Sequence, residues 1–169
     1  MATWGGSHYL RDFQQLELSV GTETSEVLQY VMENVVLPKL QEFIEYYVYS
    51  YREKWDGRTY DFIDAWKVKV QRQGFYNNII LYIDDDELSY GFPNPFTHNL
   101  YSADGLAEVI NNGWNSSNYI SPPYGFPAMG ARPFWNEFID WLNKNFEKEF
   151  IAECQRRGID MVITEDLNF

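Results

Sequence analysis

An apolar stripe with the spacing of an amphipathic helix dominates the C-terminal part of the sequence. Its members recur at intervals that keep them on one helical face: Phe134, Phe138, Trp141, Leu142, Phe146, Phe150, Ile151 and Cys154. Pro133 suits the first helical position, and Gly158 suits the left-handed position that ends a helix. The stripe therefore predicts a long helix that buries one face against the rest of the chain.

A second helical stripe lies in the N-terminal half. Apolar residues recur at steps of three and four over 27–55, with Thr24 or Ser25 available as the N-cap. Pro38 falls inside this stretch, where it removes a backbone donor and crowds the preceding turn. We expect a long helix that kinks or breaks at Pro38 and ends at Gly57.

The spacing changes to two between these helices. Residues 66–70 and 79–83 alternate between the two faces of a strand, and the segment 71–74 between them has turn composition. This pattern predicts a β-hairpin, against which we expect Phe134 and Trp141 of the last helix to pack.

A short helix is predicted after the hairpin, through Leu106, Val109 and Ile110, with Gly113 ending it. The predicted fold class is therefore α+β. A small antiparallel sheet is packed by the long N-terminal helix and the amphipathic C-terminal helix, with extended arms at both ends.

The length of 169 residues fits one domain with arms. We assign 1–23 to an N-terminal arm with a short helix near 9–18, 24–158 to the α+β domain, and 159–169 to a C-terminal assembly arm. No period is visible from 114 to 130, which predicts a long loop.

The C-terminal arm has a short β-like pattern in which Met161 and Ile163 alternate with Val162, and it ends on Phe169. Eleven extended residues span about 36 to 40 Å. We expect the arm to add as a strand to a neighbouring subunit, and its deletion to leave the thermal stability of the domain near that of the parent.

Charge and composition exclude several classes of function. The chain has 13 basic and 25 acidic residues, a formal charge of −12, which repels nucleic-acid backbones. No run of about 18 apolar residues is present, so we expect no membrane span. The N-terminus has neither a charged lead nor an apolar run, so we expect no secretory signal and a soluble protein made in a cytoplasm.

Residues that could carry chemistry are few. The acidic run from Asp84 to Glu87 lacks the alternating ligands and central glycine of a calcium loop. His8 and His98 are not surrounded by a catalytic motif, and Cys154 falls on the apolar stripe, which predicts a buried, unreactive thiol. We expect no enzyme activity, no metal and no cofactor.

Two features point instead to protein contacts. Six Trp, 13 Tyr and 12 Phe residues make up 18% of the chain, an excess that either fills the core or serves interfaces. Arg132 precedes the last helix, at that helix's positive end, where a cation gains nothing from the dipole. We expect it to have a specific carboxylate or carbonyl partner that ties the end of the 114–130 loop, or a neighbouring subunit, to the helix start.

The order of these motifs resembles that of the small head-to-tail joining, or tail-completion, proteins of tailed bacteriophages. The resemblance covers roughly 24–158. It rests on Arg58 and Thr59 leading into the hairpin, the short helix that ends in Val109-Ile110-Asn111-Asn112-Gly113, and Ala131-Arg132-Pro133-Phe134 opening the last helix. Three features depart from the family pattern: Tyr60, where the family usually has glycine, Asn111 and Asn112 in place of the usual glutamate, and an apparent insertion over 89–101.

The resemblance implies a non-enzymatic virion protein, assembled in the host cytoplasm, that forms a six-fold or twelve-fold homo-oligomeric ring in the neck. Its neighbours would be portal or adaptor and tail-tube proteins, with DNA passing through without specific binding and no membrane involved. The candidate positional or subunit-interface residues are Arg58, Trp114, Tyr124, Arg132, Phe134, Met161, Ile163 and Phe169.

Two other functions stay open from the sequence. A small virion-associated hydrolase would need a cleft with two carboxylates at a fixed separation. An acidic DNA mimic would need acidic side chains in regular rows on one exposed face, whereas the glutamates of the two long helices have the spacing of solvated helix backs.

Overall fold

Two long helices and an antiparallel sheet form the fold. The computed structural model describes residues 2–4, 8–11, 15–50, 61–84, 87–88, 106–113, 130–163 and 169. The predicted α+β class is confirmed: a three-strand antiparallel sheet packs against a 28-residue N-terminal helix and a long C-terminal helix.

The elements have the following order and bounds: β1 (Ala2–Trp4), β2 (His8–Arg11), β3 (Gln15–Gly21), α1 (Thr22–Val31), α2 (Leu37–Ile44), α3 (Asp61–Asp64), β4 (Trp66–Gln73), β5 (Tyr76–Ile83), α4 (Leu106–Asn112), α5 (Phe134–Arg156) and β6 (Met161–Ile163). Two π-helical segments, Met32–Val36 and Glu45–Tyr49, follow α1 and α2. The chain is therefore helical without a break over 22–49, a run called the N-terminal helix below.

The sheet has β5 between β3 and β4, all antiparallel, and the short strand β2 adds to the other edge of β3. The predicted hairpin is confirmed as β4–β5. Its turn consists of Gly74 and Phe75 rather than 71–74, because the strands stay paired as far as Gln73 and Tyr76. Gly74 has a φ of +62°, a conformation that glycine adopts without strain.

The short helix predicted near 9–18 is wrong. Residues 15–21 form β3, and Leu16, Leu18 and Val20 are buried on one face of the sheet. A spacing of two between apolar residues is the pattern of a half-buried strand, and here it decides the structure. This segment of the proposed N-terminal arm is therefore part of the sheet.

The N-terminal helix passes Pro38 without breaking. The π-helical segment Met32–Val36 ends just before the proline, and the Leu37 N–H donates to the Met32 carbonyl, five residues back. A π-turn widens the helix locally and moves the preceding carbonyls away from the proline ring. The predicted break is thus replaced by a π-helical segment, while the predicted helix end at Gly57 lies outside the described residues.

The start of this helix also differs from the prediction. The helix begins at Thr22 with Gly21 as its N-cap, so neither Thr24 nor Ser25 caps it. Their hydroxyls instead donate to carbonyls one turn back, Thr24 to Gly21 at 3.3 Å and Ser25 to Thr22 at 2.9 Å. The Ser25 hydroxyl also accepts a bond from Asn77 at 2.9 Å, which ties the helix start to β5.

The core lies between the sheet and the two long helices. Several of its largest fully buried side chains are aromatic: Trp66, Phe134, Phe138, Phe146 and Phe150. Part of the aromatic excess therefore fills the core, as one of the two interpretations predicted. An aromatic side chain brings a large apolar area to a core of this size.

The C-terminal helix α5 agrees with its predicted stripe, with Pro133 as the N-cap and Gly158, at φ +74°, just beyond its end. Its contact with the hairpin differs from the prediction. Trp135 stacks on Trp66 of β4 with ring centroids 5.3 Å apart, whereas the half-buried Trp141 lies beside Lys39 of α2. The hairpin contact therefore comes from Trp135, which the stripe did not include.

Candidate functional site

Arg132 joins three elements at the start of α5. Its guanidinium donates to the carbonyl of Val48 at 3.1 Å, and its backbone N–H donates to the carbonyls of Ile110 and Asn111. Val48 lies near the described end of the N-terminal helix, where carbonyls lack partners within the helix and the dipole attracts cations. The expected carbonyl partner is present and belongs to another helix of the same chain, whereas a tie to the 114–130 loop or to a neighbouring subunit stays a prediction.

We expect Arg132→Ala to lower the free energy of unfolding by about 1.5 to 3 kcal/mol, the usual range for a hydrogen bond to a charged group. Denaturant titration would measure the loss. Lys144→Ala is the control, because Lys144 is an exposed cation on α5 and its truncation should change stability by less than about 0.5 kcal/mol. Equal stabilities of the two variants would mean that the Arg132 bond is not formed in solution.

Asn111 caps α5 from outside the helix. The side chain is 1% exposed, and its Oδ1 accepts the backbone N–H groups of Trp135 at 3.0 Å and Asn136 at 3.4 Å. These are the second and third residues of α5, whose N–H groups an N-cap side chain usually binds. Pro133 occupies the N-cap position but has no acceptor on its side chain, so Asn111 of α4 does this work.

We therefore expect Asn111→Ala to destabilise the fold by about 1 to 3 kcal/mol, because it leaves the buried N–H of Trp135 without this acceptor. Asn112→Ala provides the control, since Asn112 is exposed and its side chain bonds to Asn111 rather than to a backbone N–H of α5. Thermal unfolding of both proteins would compare them. An Asn111→Ala protein as stable as the control would refute the capping role.

The C-terminal segment packs on its own chain. Strand β6 pairs in parallel with β1, and Met161 is 6% exposed with its sulfur 3.9 Å from that of Cys154. The Phe169 ring contacts Phe146 edge-on at 5.5 Å. These contacts revise the expectation that this segment contributes little to the stability of the domain; its contact with a neighbouring subunit stays a prediction.

The end of α5 is fixed by a buried carboxylate. Glu153 is 6% exposed and forms ion pairs with Arg156 at 2.8 Å and Arg157 at 2.9 Å. Arg157 also lies over the ring of Tyr30, 5.0 Å from its centroid, which connects α5 to α1.

Cys154, the residue after Glu153, is fully buried, and burial raises the pKa of its thiol. The thiol is therefore protonated at neutral pH, which agrees with the prediction of a buried, unreactive thiol.

Several sequence candidates lie outside the described residues: Arg58, Trp114, Tyr124, His98, Asp85, Asp86 and the insertion 89–101. His8 and Ile163 fall in strands β2 and β6, but their side chains are not among those described. Of the candidate interface residues, the structure thus places the side chains of Arg132, Phe134, Met161 and Phe169. All four contact their own chain.

The described residues contain neither a candidate metal cluster nor a helix that could span a membrane. Among them, no group of three or more His, Cys, Asp and Glu side chains could hold a metal ion. Glu87 of the acidic run instead forms an ion pair with Lys67 at 2.9 Å. In the same part of the chain, no helix combines the length and the apolar character needed to cross a bilayer.

Large aromatic side chains reach solvent at two places that the sequence analysis did not single out. Phe75 is 89% exposed and Tyr76 54% exposed at the tip of the β4–β5 hairpin, and Tyr46 is 66% exposed on the N-terminal helix. An aromatic next to the glycine of a two-residue turn is the signal that could have identified the tip. These residues are the described surface best suited to protein contacts.

Comparisons with known proteins give no relative from which a function could be transferred. No protein-family model, no curated protein and no solved structure matches the chain.

Proposed function

We propose that this chain is a structural protein of a tailed-bacteriophage virion that forms a ring in the neck or at the top of the tail and joins the head to the tail. The proposal starts from the motif order that resembles the head-to-tail joining proteins. The described elements follow that order: a long helix, a hairpin, a short helix, and a terminal helix opened by Arg132-Pro133-Phe134.

Exposed aromatic side chains are the observation that carries the proposal. Isolated exposed apolar residues are ordinary, but Phe75 at 89% exposure and Tyr76 at 54% are two consecutive large aromatic residues that are exposed to water. Aromatic residues are enriched where proteins bind one another. A subunit whose function is to contact copies of itself and adjacent rings would use such a surface.

The charge of the chain is consistent with a channel for DNA. At −12 the protein repels phosphate groups, and exposed carboxylates recur along α5, among them Glu137, Asp140 and Glu147. A ring lined by such a surface would let DNA pass without holding it.

Labelling of particles would test this function. Purified virions of the phage that encodes the chain are incubated with an antibody against it. Alternatively, the phage carries the chain with a tag at its N-terminus, and a label binds the tag. Electron microscopy then locates the antibody or the label on the particle. We expect the label at the junction between head and tail. Label on the capsid faces or at the tail tip, or a protein absent from finished particles, would contradict the proposal.

A further inference from the structure

The β4–β5 hairpin is positively charged in an acidic protein. From Trp66 to Ile83 it contains Lys67, Lys69 and Arg72 and no Asp or Glu, while the whole chain has a net charge of −12. Lys67 is tied to Glu87, and Lys69 lies over the ring of Tyr82, 4.1 Å from its centroid. Arg72, nearest the tip, is exposed.

The tip of this hairpin projects into solvent as an ordered unit. All residues over 71–76 are exposed, yet β4 and β5 remain paired as far as Gln73 and Tyr76. Only Gly74 and Phe75 form the turn. The tip therefore presents Phe75 and Arg72 on a backbone held by the sheet, which lowers the entropy that binding would cost.

The N-terminal helix has an outward face of the opposite charge. The exposed residues that make up this acidic face include five glutamates and two tyrosines: Glu23, Glu26, Tyr30, Glu33, Glu42, Glu45 and Tyr46. No Lys or Arg is exposed over 22–50. Lys39, the basic residue of this run, is half-buried and bound to Glu42 at 2.7 Å.

We propose that the hairpin tip of one copy docks on the acidic face of the N-terminal helix of a second copy. Arg72 meets glutamates of that face, and Phe75 packs against its exposed tyrosines. Within one chain this contact is not made, since Phe75 is 89% exposed. The inference rests on the proposed ring and names the surface between its subunits.

The two surfaces differ, so the contact is head-to-tail. Each copy then binds one neighbour through its hairpin tip and a second neighbour through its helix face. Repetition of this contact closes a ring when the rotation between successive copies allows it. DNA is the less suitable occupant of the tip. Its few cations would neutralise few phosphates, while the net charge of −12 repels the duplex.

Two variants, each altered in one of the two surfaces, test the direction of the contact. A hairpin variant, Arg72→Ser with Phe75→Ser, and a helix variant, Glu33→Arg with Tyr46→Ser, change only exposed side chains and should fold as the parent does. Light scattering after size exclusion measures their mass as a function of concentration. We expect the parent to form oligomers, and each variant to need a concentration higher by about tenfold or more, the loss typical of one binding hot spot.

Mixing the two variants gives the decisive result. The hairpin variant keeps an intact helix face and the helix variant keeps an intact tip, so together they should form one-to-one dimers that grow no further. Lys148→Glu, an exposed charge reversal on α5, is the matched control and should assemble like the parent.

Three outcomes would overturn the inference. The hairpin variant could assemble at the parent's concentration, the mixture could stay monomeric, or the parent tip could bind DNA oligonucleotides while its mutation leaves assembly unchanged. If the hairpin variant still forms rings, only this interface is wrong, and the proposed function stands. A parent protein found away from the neck of the virion contradicts the proposed function itself.

Discussion

Replacing Phe134 by alanine is expected to lower the free energy of unfolding by about 3 to 5 kcal/mol, the usual cost of removing a buried aromatic ring. Phe134 is fully buried at the first turn of α5, and its ring meets that of Phe62 edge-on at 5.5 Å. Because α3 contributes Phe62 and β4 follows it directly, the substitution also loosens the contact between the last helix and the hairpin. Urea unfolding followed by tryptophan fluorescence would measure the change.

Phe75→Ala is the control for this prediction. It removes the same side chain at a position that is 89% exposed, so the monomer should lose less than about 0.5 kcal/mol. If Phe134→Ala unfolded at the same denaturant concentration as Phe75→Ala, the first turn of α5 would not be packed as the structure shows.

The helices and the hairpin could be predicted because their side-chain spacing has one dominant period. The stripe of α5 and the alternation over 66–70 each place apolar residues on a single face, and both predictions are confirmed. Strand β3 has the same kind of alternation at Leu16, Leu18 and Val20, although the sequence prediction for this segment is an arm with a short helix. Its place beside β5 depends on long-range pairing, which spacing alone does not encode.

The junction at α5 shows why the candidate site was only partly predictable. The position of Arg132 at the wrong end of a helix dipole indicated a partner, but nothing nearby in the sequence identified Val48, 84 residues away, as that partner. Asn111 likewise caps a helix that starts after an intervening loop. Contacts of this kind arise when tertiary packing brings a polar side chain to the end of another helix.

The exposed tip could not be predicted for a related reason. The predicted turn covers 71–74 and the predicted second strand begins at 79, so the sequence pattern assigns Phe75 and Tyr76 to neither element. In the structure β3 ends at Gly21, opposite Tyr76, so no strand among the described residues extends past the tip to cover it. The exposure of Phe75 follows from where the strands end.

Deletion of residues 159–169 is expected to destabilise the isolated chain by about 2 to 5 kcal/mol, the range for truncating one buried side chain such as methionine. Met161 is 6% exposed against Cys154 at the end of α5, and β6 is the partner of β1. Removing the segment therefore uncovers the apolar side of α5 and leaves the backbone of β1 without this strand. These contacts therefore favour a measurable loss over the near-parent stability that the sequence pattern predicts.

Point variants separate this packing from a role in assembly. Met161→Ala should reproduce much of the loss in a chemical denaturation experiment, whereas Val162→Ala, at a neighbouring residue that is 42% exposed, should stay within about 0.5 kcal/mol of the parent. A deleted chain as stable as the parent would mean that β6 does not hold β1 in solution, and the segment would then be free to pair with another subunit. A clear loss of stability would instead show that the segment completes the fold of its own chain, so that any contact with a neighbour must use the outward side of β6, where Val162 lies.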